Sequence, residues 1–269
     1  MSTQRSRRLA ALSRAAPVVL LLLVTATFVA LSARSPSRMS LGMSWAPPSL
    51  ERPFGSGDAG VDLLALTLHA TFRALLLGGG VALVGFALGT PLGTSAGILR
   101  GRLLSVTLRA CDLVQSFPSF LLALAVLSAV RAPTRWHIAA VFCLTAWAPF
   151  ARISAALAQT LAESQFVEAA RALGLGPTRT LLGHVAPNLL GPVAIQIGSA
   201  AAGVVLGETA LGFVGLGPPD GVSLGALLEQ GTLGMLRAPH VLCVGAVAVV
   251  LVSGALQLAS EGLRRLWAG

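Results

Sequence analysis

The sequence has 269 residues, of which 55% are hydrophobic and only 11% charged, with a mean hydropathy of +0.81 and a net charge of +9. A soluble domain carries about 25% charged residues, so this chain has too little polar surface for a water-facing globule and reads as an all-α integral membrane protein. All 19 basic residues are arginine; without lysine there is no GxxxxGK[ST] loop to reach the phosphates of ATP, and without a basic stripe interleaved with aromatics there is no case for nucleic-acid binding.

A membrane helix needs about 20 predominantly apolar residues. Residues 1–14 hold Arg5, Arg7, Arg8 and Arg14 and precede a charge-free run at 15–33. That run is a first transmembrane helix. A cleaved signal peptide is the rival reading, given Ala30-Leu31-Ser32, but the run exceeds the length of a signal core. Residues 34–73, with Pro36, Pro47, Pro48 and Pro53, form an irregular extracytoplasmic loop. Residues 74–260 then hold five further spans, near Ala74–Leu99, Leu113–Val130, Ile138–Ile153, Leu189–Phe213 and Val241–Ala259. Gly78-Gly79-Gly80 and Pro91 interrupt the second span and are tolerated where neighbours pack closely. Pro218-Pro219 stops any helix after the fifth. Residues 261–269 form a C-terminal tail.

Six spans put both termini on one side, and arginine bias selects which. With N-in/C-in topology, twelve arginines are cytoplasmic and seven (Arg34, Arg38, Arg52, Arg73, Arg131, Arg135 and Arg237) are outside. The polar stretch at 154–188, between the fourth and fifth spans, is then cytoplasmic.

That stretch has helical signals. Ser164 can cap a helix starting at Gln165. Phe166, Val167, Ala170 and Leu173 follow 3.6-residue spacing. Glu168 favours the positive helix start and sits three residues from Arg171. Gly174 suits a left-handed end. Gly176-Pro177 starts a second helix that Pro187 kinks or ends. The small residues Ala169, Ala170 and Ala172 leave room for a partner to approach, so the unit reads as a docking surface. The alternative is a helix lying among lipid headgroups, which usually shows a larger apolar face.

Glu168-Ala169-Ala170, Gly174 and His184-Val185-Ala186-Pro187-Asn188 stand at the spacing of the EAA loop of ABC-importer permeases, and the chain resembles the dipeptide, oligopeptide and nickel group of that family. Further similarities run from Phe54 to Trp267. Phe54, Gly55, Gly60 and Asp62 match a block before the second span, with three other block positions replaced. Asp112 with Phe117-Pro118-Ser119, Glu208 with Leu211-Gly212-Phe213-Val214-Gly215-Leu216-Gly217, and Pro218-Pro219 match later ones; Leu224 replaces a usual Trp. The resemblance implies the ABC type I importer permease fold in a bacterial inner membrane. It also implies a heterodimer with a second homologous permease, two cytoplasmic ATP-binding subunits and an extracytoplasmic substrate-binding protein. ATP would be used by the partner ATPase, with no cofactor bound by this chain. Glu168, Ala169, Ala170, Arg171, Gly174, His184, Pro187 and Asn188 would couple to the ATPase, and the cargo would be a peptide or a related substrate such as nickel.

Ionisable or polar residues in spans line pathways or join helices. Gln115, Ser116, Gln196 and Glu208 are the candidates for pathway lining, while Asp112 has Arg109 three residues away as a local partner. His69 and His137 read as interfacial histidines without ligand spacing, and Cys111, Cys143 and Cys243 as buried apolar residues. Two rivals come from other classes. A secondary transporter would carry midplane carboxylates and inverted repeats; here only Glu208 comes near. A non-transporting scaffold would use the polar helix for docking alone.

Overall fold

The structure, a computed structural model, describes residues 2–31, 34–172, 174–176, 179, 183 and 185–267, without the side chains of 2–15, 170, 171 and 265–267. Its helices are α1 (Ser2–Leu31), α2 (Leu63–Leu99), α3 (Gly101–Gln115), α4 (Ser119–Ser128), α5 (Arg135–Ala162), α6 (Gln165–Ala172), α7 (Ala186–Ala194), α8 (Gln196–Phe213), α9 (Leu224–Leu233) and α10 (Pro239–Trp267).

Four segments are long and apolar enough to cross a membrane: Leu63–Leu99, Arg135–Ala162, Ala186–Phe213 and Pro239–Arg264. The bent pair α3 and α4 makes a fifth if counted as one span, and α1 contributes a shorter apolar helix, Ala16–Leu31. The expected third span, Leu113–Val130, is not one straight helix. It breaks by 64° between Gln115 and Ser119, because Pro118 disfavours helical conformation at Phe117 and lacks an N–H to donate.

Other boundaries shift for local reasons. The loop expected to run to Arg73 ends at Asp62, whose carboxylate accepts from the N–H groups of Leu64 and Ala65 and so caps α2 eleven residues before Ala74. α5 continues past Ile153 to Ala162, so the first nine residues of the 154–188 stretch belong to a span. The region after Phe213 includes a helix, α9, capped by the Ser223 hydroxyl accepting from Ala226 N–H at 3.1 Å.

Packing centres on α2. Along one face Gly85, Gly89, Gly93 and Gly97 recur every four residues and lie against the backbone of α5. A β-carbon at Gly85 would sit 2.7 Å from the Ala146 carbonyl oxygen, and one at Gly97 2.5 Å from that of Ala155; at Gly89 and Gly93 it would overlap the carbonyls of Trp147 and Ala151. Lipid tails are as apolar as leucine, so helices in a bilayer associate through such close van der Waals contact. Of the Gly78-Gly79-Gly80 run, only Gly78 serves as a packing surface, against Ala201 and Val205 of α8; no atom lies within 4 Å of a β-carbon at Gly79 or Gly80.

Gly93→Ala therefore loses stability by about 1–3 kcal/mol through overpacking, whereas Gly79→Ala is near neutral. Thermal unfolding of both variants in detergent checks this, and equal melting temperatures would contradict the packing assignment.

Candidate functional site

Three sites occupy distinct heights of the bundle. At one end, α6 follows α5 after a two-residue turn. Val167 is fully buried in a cluster with Phe150, Ala158, Val185, Leu189 and Val193, which roots α6 onto α5 and α7. Gln165, Phe166, Glu168, Ala169 and Ala172 are exposed, so the helix turns outward a face of small and polar residues with one aromatic, Phe166. The expected stripe is thus divided: Val167 is inward and Phe166 is 42% exposed. Ser164 does not cap α6 with its side chain; its hydroxyl donates back to the Leu161 carbonyl, and its own carbonyl accepts from the Val167 and Glu168 N–H groups. Gly174 has φ +83, the left-handed conformation expected there. Pro187 lies in the first turn of α7, where a missing N–H costs nothing, and Pro187 and Asn188 are exposed. Leu173, Pro177 and His184 lie outside the described residues, and so does most of the expected second helix; the side chains of Ala170 and Arg171 are likewise outside the description.

Nearby ion pairs join the helices at this end. Arg100 after α2 pairs with Glu163 after α5. Asp112 of α3 pairs with Arg152 of α5 and not with Arg109, since the packing of α3 on α5 supplies a closer cation than its own helix does.

Further along the bundle a pocket of about 340 Å³ opens where α3 breaks into α4. Gln115, Phe117, Pro118 and Ser119 line it from the break, Thr145, Ala146 and Pro149 from α5, and Gln196, Ala200 and Gly203 from α8. The structure thus brings Gln115 and Gln196 together, two amides that can each donate and accept. Ser116 and Glu208 are absent from this lining. Ser116 donates to the Leu113 carbonyl at 2.7 Å within its own turn; Glu208 is buried elsewhere on α8. Ser116 stands past the last residue of α3, and Glu208 lies a turn beyond Val204, the last α8 residue of the lining.

At the opposite end Asp220, in the turn after α8, accepts from Arg73 of α2 at 2.9 Å and from Arg135 of α5 at 2.8 and 2.6 Å. The Val222 N–H adds a bond of 3.2 Å. Partial burial alone would raise the Asp220 carboxyl; the Val222 N–H and the Arg135 and Arg73 guanidiniums outweigh it and hold the group below its ordinary value. Proline at 218 and 219 stiffens the approach to this carboxylate, and sequence reading, lacking the fold, had no means to pair it with arginines 147 and 85 residues away. His69 Nδ1 lies 2.9 Å from the Ala65 carbonyl oxygen, and His137 closes a capping box with Thr134; both serve helix structure.

A multi-pass bundle with a polar-amide pocket between broken helices and an exposed small-residue helix at one face is the build of a membrane permease subunit. The chain belongs to the binding-protein-dependent transport system inner membrane components, a family whose profile matches residues 89–266. It is 32% identical over 253 residues, 92% of the chain and 84% of the relative, to a protein of Brucella suis biovar 1 named as a peptide transport system permease. It is 31% identical to the oligopeptide transport system permease protein OppC of Mycobacterium tuberculosis over 81% of the chain and 76% of the relative. To the glutathione transport system permease protein GsiD of Escherichia coli it is 30% identical over 81% of the chain and 72% of the relative. Members of this family are multi-pass inner-membrane transport subunits rather than catalysts.

Because the Asp220 carboxyl titrates below its ordinary value, it contributes stability that is present above that value, 3.8, and lost as pH falls through the lower folded one. The gap in melting temperature between the unmodified chain and Asp220→Asn is therefore expected to be open at neutral pH and to close below about pH 4. A gap constant with pH would remove the ion-pair interpretation.

Proposed function

We propose that the chain is one of two homologous permease subunits of an ABC importer for peptides, and that α6 with Gly174 docks on a partner ATPase. The observation that carries this reading is the division of α6 into a buried Val167 root and an exposed Glu168-Ala169-Ala172 face. A helix anchored on one side by a core residue and left small on the other can be pushed without detaching. Glu168 supplies polar contact, the alanines allow close approach, and Gly174 turns the chain. Arg171, His184, Pro187 and Asn188 complete the coupling loop by resemblance. ATP is bound and hydrolysed by the two partner subunits, and a substrate-binding protein delivers cargo at the Asp220 end.

In this reading α1 and the α3–α4 pair join the four long helices as six spans, with both termini and α6 in the cytoplasm. Arginine bias supports that orientation. The pocket supports peptide over nickel as cargo. Gln115 and Gln196 offer the donor and acceptor pairs that peptide bonds need, whereas none of its lining residues is a histidine, cysteine or carboxylate, the usual ligands of Ni²⁺. The names of the relatives point the same way. Ser116 and Glu208 are not assigned to the pathway lining.

Glu168→Arg and Gly174→Pro are expected to leave membrane insertion intact while weakening capture of the partner ATPase and reducing uptake about tenfold or more, the scale of losing a charged contact or a required turn. Pull-down of the ATPase together with tripeptide uptake in vesicles checks both. Unchanged capture and uptake would sink the docking assignment.

A further inference from the structure

Glu208 lies on α8, 6% exposed, and its Oε2 has no hydrogen-bond partner. A buried carboxylate left without a partner is costly, and a cation brought to it would remove that cost. Arg135 begins the face of α5 that packs beside Glu208: Ile138, one turn on, shares a cluster with Leu211, and Phe142, two turns on, lies against Gly207. In this structure Arg135 is committed elsewhere, bonding both carboxylate oxygens of Asp220, which already has Arg73 and the Val222 N–H. Asp220 thus holds several donors while the buried Oε2 of Glu208 holds none. Below the Asp220 turn, Leu211 and Leu216 pack with Leu127, Ile138 and Phe142. Phe142 also lines the Gln115–Gln196 pocket. Asp220 thus ties down a turn whose Leu216 belongs to an apolar cluster, the plug, that reaches this pocket through Phe142.

We propose that Arg135 exchanges between Asp220 and Glu208, and that this exchange is the latch of the gate at the Asp220 end of the pathway. With Arg135 on Asp220 the turn after α8 is pinned to α2 and α5 and the plug is shut. When that turn withdraws, Arg73 at the rim passes to water and Arg135 turns inward onto Glu208. The inward pair replaces the lost one, so the open state does not leave a guanidinium and a carboxylate unpaired. Glu208 is thus a positioning residue for the open gate rather than a contact for cargo. This inference rests on the transport reading above and goes beyond it by assigning the gate.

The test uses the assembled transporter in nanodiscs and proteoliposomes, with its partner permease, ATPases and binding protein. Spin labels at Ala132→Cys and Pro219→Cys report the separation of the α5 start from the turn, with Cys111, Cys143 and Cys243 changed to alanine. Asp220→Asn is expected to lengthen the separation in the resting complex. Glu208→Gln is expected to leave the resting separation unchanged, to deplete the long-separation population in the vanadate-trapped ATP state, and to lower uptake of a tritiated tripeptide at least about fivefold. Glu208→Asp is expected to recover part of both. Wild-type uptake and a wild-type trapped population in Glu208→Gln would overturn the exchange. So would a lowered melting temperature with an unchanged trapped population, the signature of a purely structural carboxylate. If the unmutated complex shows neither uptake nor ATP-dependent lengthening, the transport reading itself fails and the inference with it.

Discussion

The contact on which this molecule depends is the backbone-to-backbone approach of α2 and α5. Inside a bilayer no hydrophobic force drives helices together, so stability comes from surface that can be brought into close contact. Glycines at four-residue spacing on α2 remove every β-carbon from that face, and the α5 carbonyls of Ala146, Trp147, Ala151 and Ala155 fill the space. Ala148, Ala151, Ala155 and Ala158 are buried along α5, so both partners are thin. The result is a two-helix frame with Arg135 at the start of α5 and α6 immediately after its end.

The rest of the bundle hangs on that frame. α8 meets it through Gly78 and through Gly207, where a β-carbon would stand 2.7 Å from the Phe142 ring. α10 ties to the α7–α8 junction, where Ser260 donates to the Ile195 carbonyl at 2.8 Å. The pocket forms where the frame is interrupted rather than where it is strongest. Pro118 breaks α3 from α4, Pro149 sits within α5, and the α7–α8 junction falls at Ile195 beside Gln196. Irregular backbone at membrane depth is tolerated where it lines a cavity, and here the breaks coincide with the polar amides.

Much of this was legible in the sequence because it depends on local rules. Apolar runs located the helices, Ser164 through Ala172 announced a short amphipathic helix, and Gly174 announced its left-handed end; Pro187, read as the kink or end of one helix, stands in the first turn of the next. What was not legible depends on phase or on distance along the chain. The glycine stripe at 85, 89, 93 and 97 was present as a four-residue repeat but lay behind the more conspicuous Gly78-Gly79-Gly80 run. Ser116 and Glu208 were placed by polarity, yet Ser116 turns its hydroxyl back onto its own turn and Glu208 lies a turn beyond the α8 lining of the pocket. Asp112 had a local arginine at the right spacing and took one from another helix, 40 residues away, because tertiary packing brought it nearer. Asp220 followed two prolines in an unremarkable turn and gained its meaning only when α2 and α5 met above it.

If α6 is the docking helix proposed above, its buried side chain is one route by which force reaches the frame. Val167 inserts between Phe150 and Ala158 of α5 and Leu189 and Val193 of α7, so displacement of α6 is passed to helices whose far ends hold Arg135 and the Asp220 turn. In the proposed reading the coupling would be carried by packed side chains between rigid elements, Val167 among them, fully buried in the cluster. The most direct measurement is the ratio of tripeptide taken up to ATP hydrolysed in reconstituted transporter carrying Val167→Ala. The account predicts that the ATPase still binds and hydrolyses ATP while the ratio falls several-fold. A ratio equal to that of the unmodified transporter, with Val167→Ala folded and the ATPase bound, would contradict it.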